Sequence, residues 1–132
     1  MNITNLEAAK VISKAIKKAT EIDSKMNIAV VDSGAHLVAF SRMDHAVLGA
    51  IDIALKKART ASLFQKNTEV LGEKSQPGMP LFGIEHSNNG LITFAGGIPI
   101  KNKYGIIIGA IGVSGSTIEN DYMVAQAGIT AL

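Results

Sequence analysis

Hydrophobic positions recur along this chain with two different periods, and the changes of period divide it into helices and strands. Leu6, Ala9, Ile12, Ile16 and Ala19 recur at helical spacing behind Thr4. Thr4 and Glu7 have the spacing of a capping box, so the pattern predicts a first helix running to about Asp23. Its other side carries Lys10, Lys14, Lys17 and Lys18, which reads as a solvated face. Met26–Val31 and Leu37–Met43 are short apolar runs separated by the turn cluster Asp32-Ser33-Gly34-Ala35, the signature of an antiparallel hairpin. From about Ala46 to Phe64 the helical period returns, with Leu48, Ile51, Leu55, Ala58 and Ala61 or Ser62 on one face and Asp52 four residues before Lys56 on another. Residues 67–89 contain Gly72, Pro77, Gly78, Pro80 and Gly83, too much punctuation for one regular element. They are expected to form a short helix or two within a long loop of the kind that often carries function.

The rest of the chain is organised around Gly96–Gly115, two apolar runs joined by the turn Lys101-Asn102-Lys103-Tyr104-Gly105. In the second run Ile106, Ile108 and Ala110 face one way and Ile107, Ile111 and Val113 the other, as in a central strand covered on both sides. Gly109 and Gly112 inside that strand mark close approach, either of a packed helix or of a ligand. Leu91–Ala95 leads into the hairpin, so this half contributes two or three strands. A last helix starts at Ser116, with Glu119 closing a second capping box and Ile118, Tyr122, Ala125, Ile129 and Leu132 lining one face. The order predicts an α+β fold, an antiparallel sheet with helices packed on it.

Composition narrows the function. With 132 residues the chain reads as one domain, 1–132, able to bury a core without disulfides. A net charge of +2 with basic and acidic residues interleaved lacks the footprint of a nucleic-acid binder. The absence of cysteine removes disulfides, thiolate metal sites and a Cys nucleophile. No apolar run approaches the roughly 20 residues of a spanning helix, which argues against a membrane partner. Lysines are scattered through the N-terminal stretch rather than set ahead of an apolar block, so no secretory signal is read there and the cytoplasm is the default location.

Candidate chemistry is sparse. His36, His45 and His86 are the only imidazoles, and none has the spacing that puts two on one metal. A single one could still serve as an axial ligand to haem iron; His45, at a strand-to-helix junction, and His86, in the long loop, are better placed to reach a pocket than His36. Arg42, Asp44, Lys57 and Arg59 are expected to lie near one another, as a cationic rim for a ligand carboxylate or, for Asp44, simply as a helix cap. Ser114-Gly115-Ser116-Thr117 opens a helix whose free N–H groups could hold a small anion, or be capped by the serine. Serines and threonines are plentiful, but no nucleophile elbow or triad order emerges, so no catalytic residue is assigned.

Read together, DSGAHLVAFSRMD at 32–44, KARTASLF at 57–64, GGIPI at 96–100 and GIIIGAIGVSG at 105–115 resemble the GlcG/HbpS family of small haem-binding and haem-degrading-type domains, which includes the C-terminal domain of PduO. The resemblance runs in order from about residue 26 to 132. It implies a profilin-like fold with a five-stranded antiparallel sheet between helices, homo-oligomers from dimer to octamer, and haem or another small molecule as ligand. It implies a pocket of Arg42, Asp44, Lys57, Thr60, Gly96, Gly97 and Pro99. The chain carries His45 where the family pattern has a small residue, and its first helix has no histidine, so His45 and His86 are the metal-ligand candidates. Three roles follow: a haem-binding or sensing protein, or one accessory to small-acid or diol metabolism; an enzyme on a small carboxylate or carbonyl compound, with Asp44 or His45 as general base and Arg42 or Lys57 gripping the acid; or a structural accessory subunit.

Overall fold

The structure, a computed structural model, describes residues 1–132. In chain order it contains α1 (Asn5–Glu21), β1 (Asn27–Asp32), β2 (Leu37–Arg42), α2 (Ala50–Phe64), α3 (Thr68–Glu73), a short 3-10 helix (Ile84–His86), β3 (Gly97–Lys101), β4 (Ile107–Ser114) and α4 (Ile118–Ile129). The four strands form one antiparallel sheet in the order β2-β1-β4-β3. Helices α1 and α4 cover one face, where Ile28, Val30, Ile98, Ile100, Ile111 and Val113 meet Ala8, Val11, Ile12, Ala15, Val124 and Ala125. Helix α2 covers the other, where Ala29, Val31 and Ala110 meet Ala58 and Ala61. Small residues on both sides let α2 sit close to the sheet, and a Cβ at Gly112 would run into the Ala54 carbonyl and come within 3.0 Å of the Ala58 Cβ. Close helix packing thus accounts for Gly112. No helix is long and apolar enough to cross a membrane.

The sheet has four strands, not the five that the family resemblance implies. Residues 91–95, expected as a further strand or as the opening of β3, form neither, and their backbone groups are engaged elsewhere. The Leu91 N–H donates to the Glu85 carbonyl at 3.0 Å as part of the loop's own turns, the Ile92 N–H to Thr60 Oγ1 at 3.1 Å, and the Phe94 carbonyl accepts from Thr68 Oγ1 at 2.7 Å. Side-chain hydroxyls from α2 and α3 have replaced a ladder.

Helix phase also departs from the pattern. In α1 the Thr4–Glu7 capping box forms, but the buried stripe is Ala8, Val11, Ile12, Ala15 and Ala19, and Leu6 is 66% exposed. In α2 the helix begins at Ala50 behind Gly49, buries Ala54, Lys57, Ala58, Thr60 and Ala61, and leaves Leu48 exposed. In α4 the cap is Thr117, whose side chain accepts from the Asn120 N–H, and the buried stripe is Asp121, Val124, Ala125 and Gly128. In all three, close approach to the core favours small residues beside Val11, Ile12 and Val124, and leaves Leu6, Leu48 and Ile118 outside. Ile108, expected to share a face with Ala110, packs instead in the larger cluster, near the register shift between Ile100 and Lys101.

Candidate functional site

The positions implied by the family pattern fall into two separate groups. The first is buried. Lys57 lies on the sheet side of α2 with no side-chain exposure, and its Nζ donates to the Val113 carbonyl at 2.8 Å and to Asp121 Oδ2 at 2.9 Å. The Phe94 ring lies over the same nitrogen, 5.0 Å to its centroid. Asp121 Oδ1 accepts the Ser116 N–H at 3.0 Å, so the α4 N-terminus that the sequence offers to an external anion is occupied by the chain's own carboxylate. Burial pulls the Lys57 ammonium below its ordinary pKa, opposed by Asp121. Burial pushes the Asp121 carboxyl up, opposed by Lys57 and by the N–H groups of Ser116 and Gly115.

Gly96, at φ +130°, closes this group from above, because a Cβ there would come 2.6 Å from both Lys57 Nζ and the Val113 carbonyl. Thr60 Oγ1 donates to the Lys56 carbonyl and accepts the Ile92 N–H, tying α2 to the segment that carries Phe94. Thr68 Oγ1 accepts the Gly97 N–H at 3.0 Å and donates to the Phe94 carbonyl. Pro99 is buried in β3 opposite Ala110. Lys57, Thr60, Gly96, Gly97 and Pro99 therefore lie along one seam between α2 and the β3–β4 hairpin.

The second group is open. Arg42, Asp44 and His45 line a cleft of about 490 Å³ together with Ile16, Lys25, Ser41 and Met43. Arg42, Asp44 and His45 are all exposed, and none makes a side-chain hydrogen bond within the chain. Asp44 caps no helix, since α2 starts behind Gly49 with no side-chain cap. His45 holds a left-handed backbone, φ +68°, where the chain leaves β2. Arg59 turns away to the Asn88 carbonyl at 3.3 Å, and His86 is exposed in the short 3-10 helix; neither lines this cleft. Beside the cleft, the row Arg42–Asn27–Ser114 crosses three strands in register. Asn27 is fully buried, donates to the Val47 carbonyl at 3.0 Å and leaves its Oδ1 unpaired. The structure contains no group of three or more His, Cys, Asp and Glu side chains that could hold a metal ion.

Asp121 and Thr68 complete the buried seam, with Phe94, 42% exposed, at its rim, and the sequence pattern points to none of the three as a site residue. Asp121 had a signal: with Val124, Ala125 and Gly128 it makes an i, i+3, i+4, i+7 stripe of small or short residues, the true inward face of α4. Phe94 and Thr68 sit in irregular or very short elements, where no period exists to read.

A sheet with two helices on one face and an alanine-faced helix on the other, a lysine sealed beneath a Gly-Gly turn and an open cleft beyond β2 define the class. This chain belongs to the HbpS-like family, whose model, described as haem degrading protein HbpS-like, matches residues 3–130. It is 37% identical over 126 residues to an uncharacterised 15.0 kDa protein from the dhaT-dhaS intergenic region of Citrobacter freundii, an alignment covering 94% of this chain and 88% of that one. It is 31% identical over 133 residues to the corrinoid adenosyltransferase PduO of Citrobacter freundii, covering all of this chain but 39% of that protein. Among solved structures it superposes on a PduOC:heme complex with a TM-score of 0.94 at 30% identity, covering 100% of this chain and 96% of that one.

Proposed function

We propose that this protein binds haem in the open cleft beyond β2, with His45 as the axial ligand. The observation that carries the reading is the match over the whole chain to a structure solved as a haem complex. The donor set in the cleft fits the group. His45 offers an imidazole free of internal partners, Met43 and Ile16 offer apolar surface, and Arg42 and Lys25 are cations suited to propionates. Bound haem would supply a redox-active iron. The chain's own part is to orient the ring from one side, hold the propionates and exclude water. His86 is the other imidazole in view, and it lies outside this cleft.

The cleft is shallow for a flat macrocycle, and a second copy would supply the facing wall. Val47 and Leu48, at the Asn27 end of the sheet beside the cleft, expose 61% and 66% of their surface, apolar area that a second copy would cover. The proposed form is therefore a homo-oligomer.

The same cleft supports a second reading, an enzyme acting on a small carboxylate, because it sets Arg42 and Lys25 beside Asp44 and His45. Haemin titration of the protein separates the two. A saturable Soret band at one haem per chain or per dimer is expected; weak absorption growing linearly with haemin would reject haem. Turnover of a small carboxylate abolished by Asp44→Asn, with ligand binding retained, would establish the enzyme instead.

A further inference from the structure

Helix α1 and the β3–β4 hairpin together form a feature that neither reading uses. Lys10, Lys14 and Lys17 follow one another along the solvent side of α1, and Lys101 and Lys103 stand on the hairpin that passes its N-terminal end. Two adjoining clefts, of about 530 and 360 Å³, share Lys10 and Ala131 and join these five lysines into one groove along the outer edge of the α1/α4 layer. All five are exposed, and none makes an ion pair, whereas Lys18, Lys25, Lys56 and Lys57 each do.

The groove has one carboxylate side chain, Glu7, and it is already engaged. Glu7 Oε1 accepts the Thr4 N–H at 2.9 Å in the α1 capping box, and that bond, the Thr4 hydroxyl and nearby Lys10 hold its pKa below the ordinary value. A chain of 13 basic and 11 acidic side chains thus concentrates five lysines against one glutamate in a single groove, leaving the remaining side chains net acidic. The near-neutral total conceals a charged surface.

We infer that this groove docks an acidic segment of a partner protein. Its length favours an extended chain over a compact anion, since Lys10 to Lys17 alone spans about 10 Å at the helical rise. A phosphate site would use bidentate arginines or converging backbone N–H groups; both arginines, Arg42 and Arg59, lie elsewhere, and at the α1 N-terminus the Thr4 and Glu7 N–H groups are engaged in the helix's own capping box. Lysine, a mobile and strongly hydrated point charge, suits carboxylates spaced along a flexible strand. Single-stranded nucleic acid would call for a run of stacking aromatics, and the groove has only Tyr104, over which Lys103 already lies at 5.2 Å. Such docking accelerates association and weakens steeply with salt, because exposed charges more than a Debye length apart, about 10 Å at 0.1 M, are screened.

The test is the affinity of the intact protein for a fluorescent deca-glutamate peptide at two ionic strengths. Lys101→Gln with Lys103→Gln should weaken binding roughly fivefold, the effect of losing two exposed pairs. Lys10→Gln with Lys14→Gln and Lys17→Gln should weaken it further. Lys56→Gln with Lys74→Gln removes the same charge as the hairpin pair from outside the groove and should change affinity by less than about twofold. The hairpin variant touches no helix, so the result does not depend on α1 tolerating substitution. Equal losses in the control variant, or groove-dependent binding tighter to a DNA duplex or to phosphatidylserine vesicles than to the peptide, would overturn the inference. Haem binding, measured on the same variants, is expected to be unchanged.

Discussion

Lys57 and Asp121 form the one ion pair whose two side chains are both buried. The pair joins α2, β4 and α4, with both side chains essentially without exposure, so removing one partner strands a charge in the interior. Lys57→Met or Asp121→Leu alone is expected to lower unfolding stability by about 3–5 kcal/mol in urea titrations. The double variant, which removes both charges, should lose less than the sum of the two. Gly96→Ala, forcing a Cβ against Lys57 Nζ at φ +130°, should destabilise by at least about 2 kcal/mol in the same assay. Glu85 offers a pH test. Its pKa is lowered, first by the hydrogen bond donated from Thr93 Oγ1 at 2.7 Å, so the folded state favours the ionised carboxylate. That contribution is present above the ordinary value of 4.5 and is lost as pH falls through the lower folded value. Thr93→Val should therefore lower stability at neutral and alkaline pH, where the contribution is present, and the deficit should shrink as pH falls below 4.5, flattening the acid limb.

At the scale of elements, the existence and order of helices and strands were legible because each carries a clear period or turn. The Asn102 side chain accepting from the N–H groups of Tyr104 and Ile106, with Gly105 at φ +78°, is the turn that the sequence advertises. What misled was the weight given to size. Leu6, Leu48 and Ile118 look like core, yet they are 66%, 66% and 46% exposed, while Ala8, Ala54 and Asp121 are buried. A core in which helices approach the backbone of a sheet selects for small residues, and a hydrophobic period alone cannot reveal that choice of scale. The strand expected at 91–95 failed for a different reason: Thr60 and Thr68, distant in sequence, claim its backbone groups. Gly112→Ala is the test of the close α2 contact. It should destabilise by about 1–3 kcal/mol, since the new methyl group would meet the backbone at Ala54.

For the molecule as a whole, the candidate site was legible as residue types but not as an arrangement. The family pattern picked out Arg42 and Asp44 with Lys57, Thr60 and the Gly96-Gly97 turn, and the fold separates them into a sealed seam and an open cleft on different sides of the β2–α2 connection. Sequence spacing carries no information about which side of a sheet a helix buries, so that division emerges only in three dimensions. The seam is closed by its own ion pair and hydrogen bonds, whereas the cleft holds the unpaired His45 on which the proposed haem site rests. If a second copy completes the cleft, light scattering should give a mass of at least twice 13.8 kDa, and Val47→Lys with Leu48→Lys should reduce both the mass and the haem affinity. The most direct measurement is haemin titration of the wild type, His45→Ala and His86→Ala in parallel. The account predicts a stoichiometric Soret band that His45→Ala abolishes and His86→Ala leaves intact; a band that survives His45→Ala unchanged would contradict it.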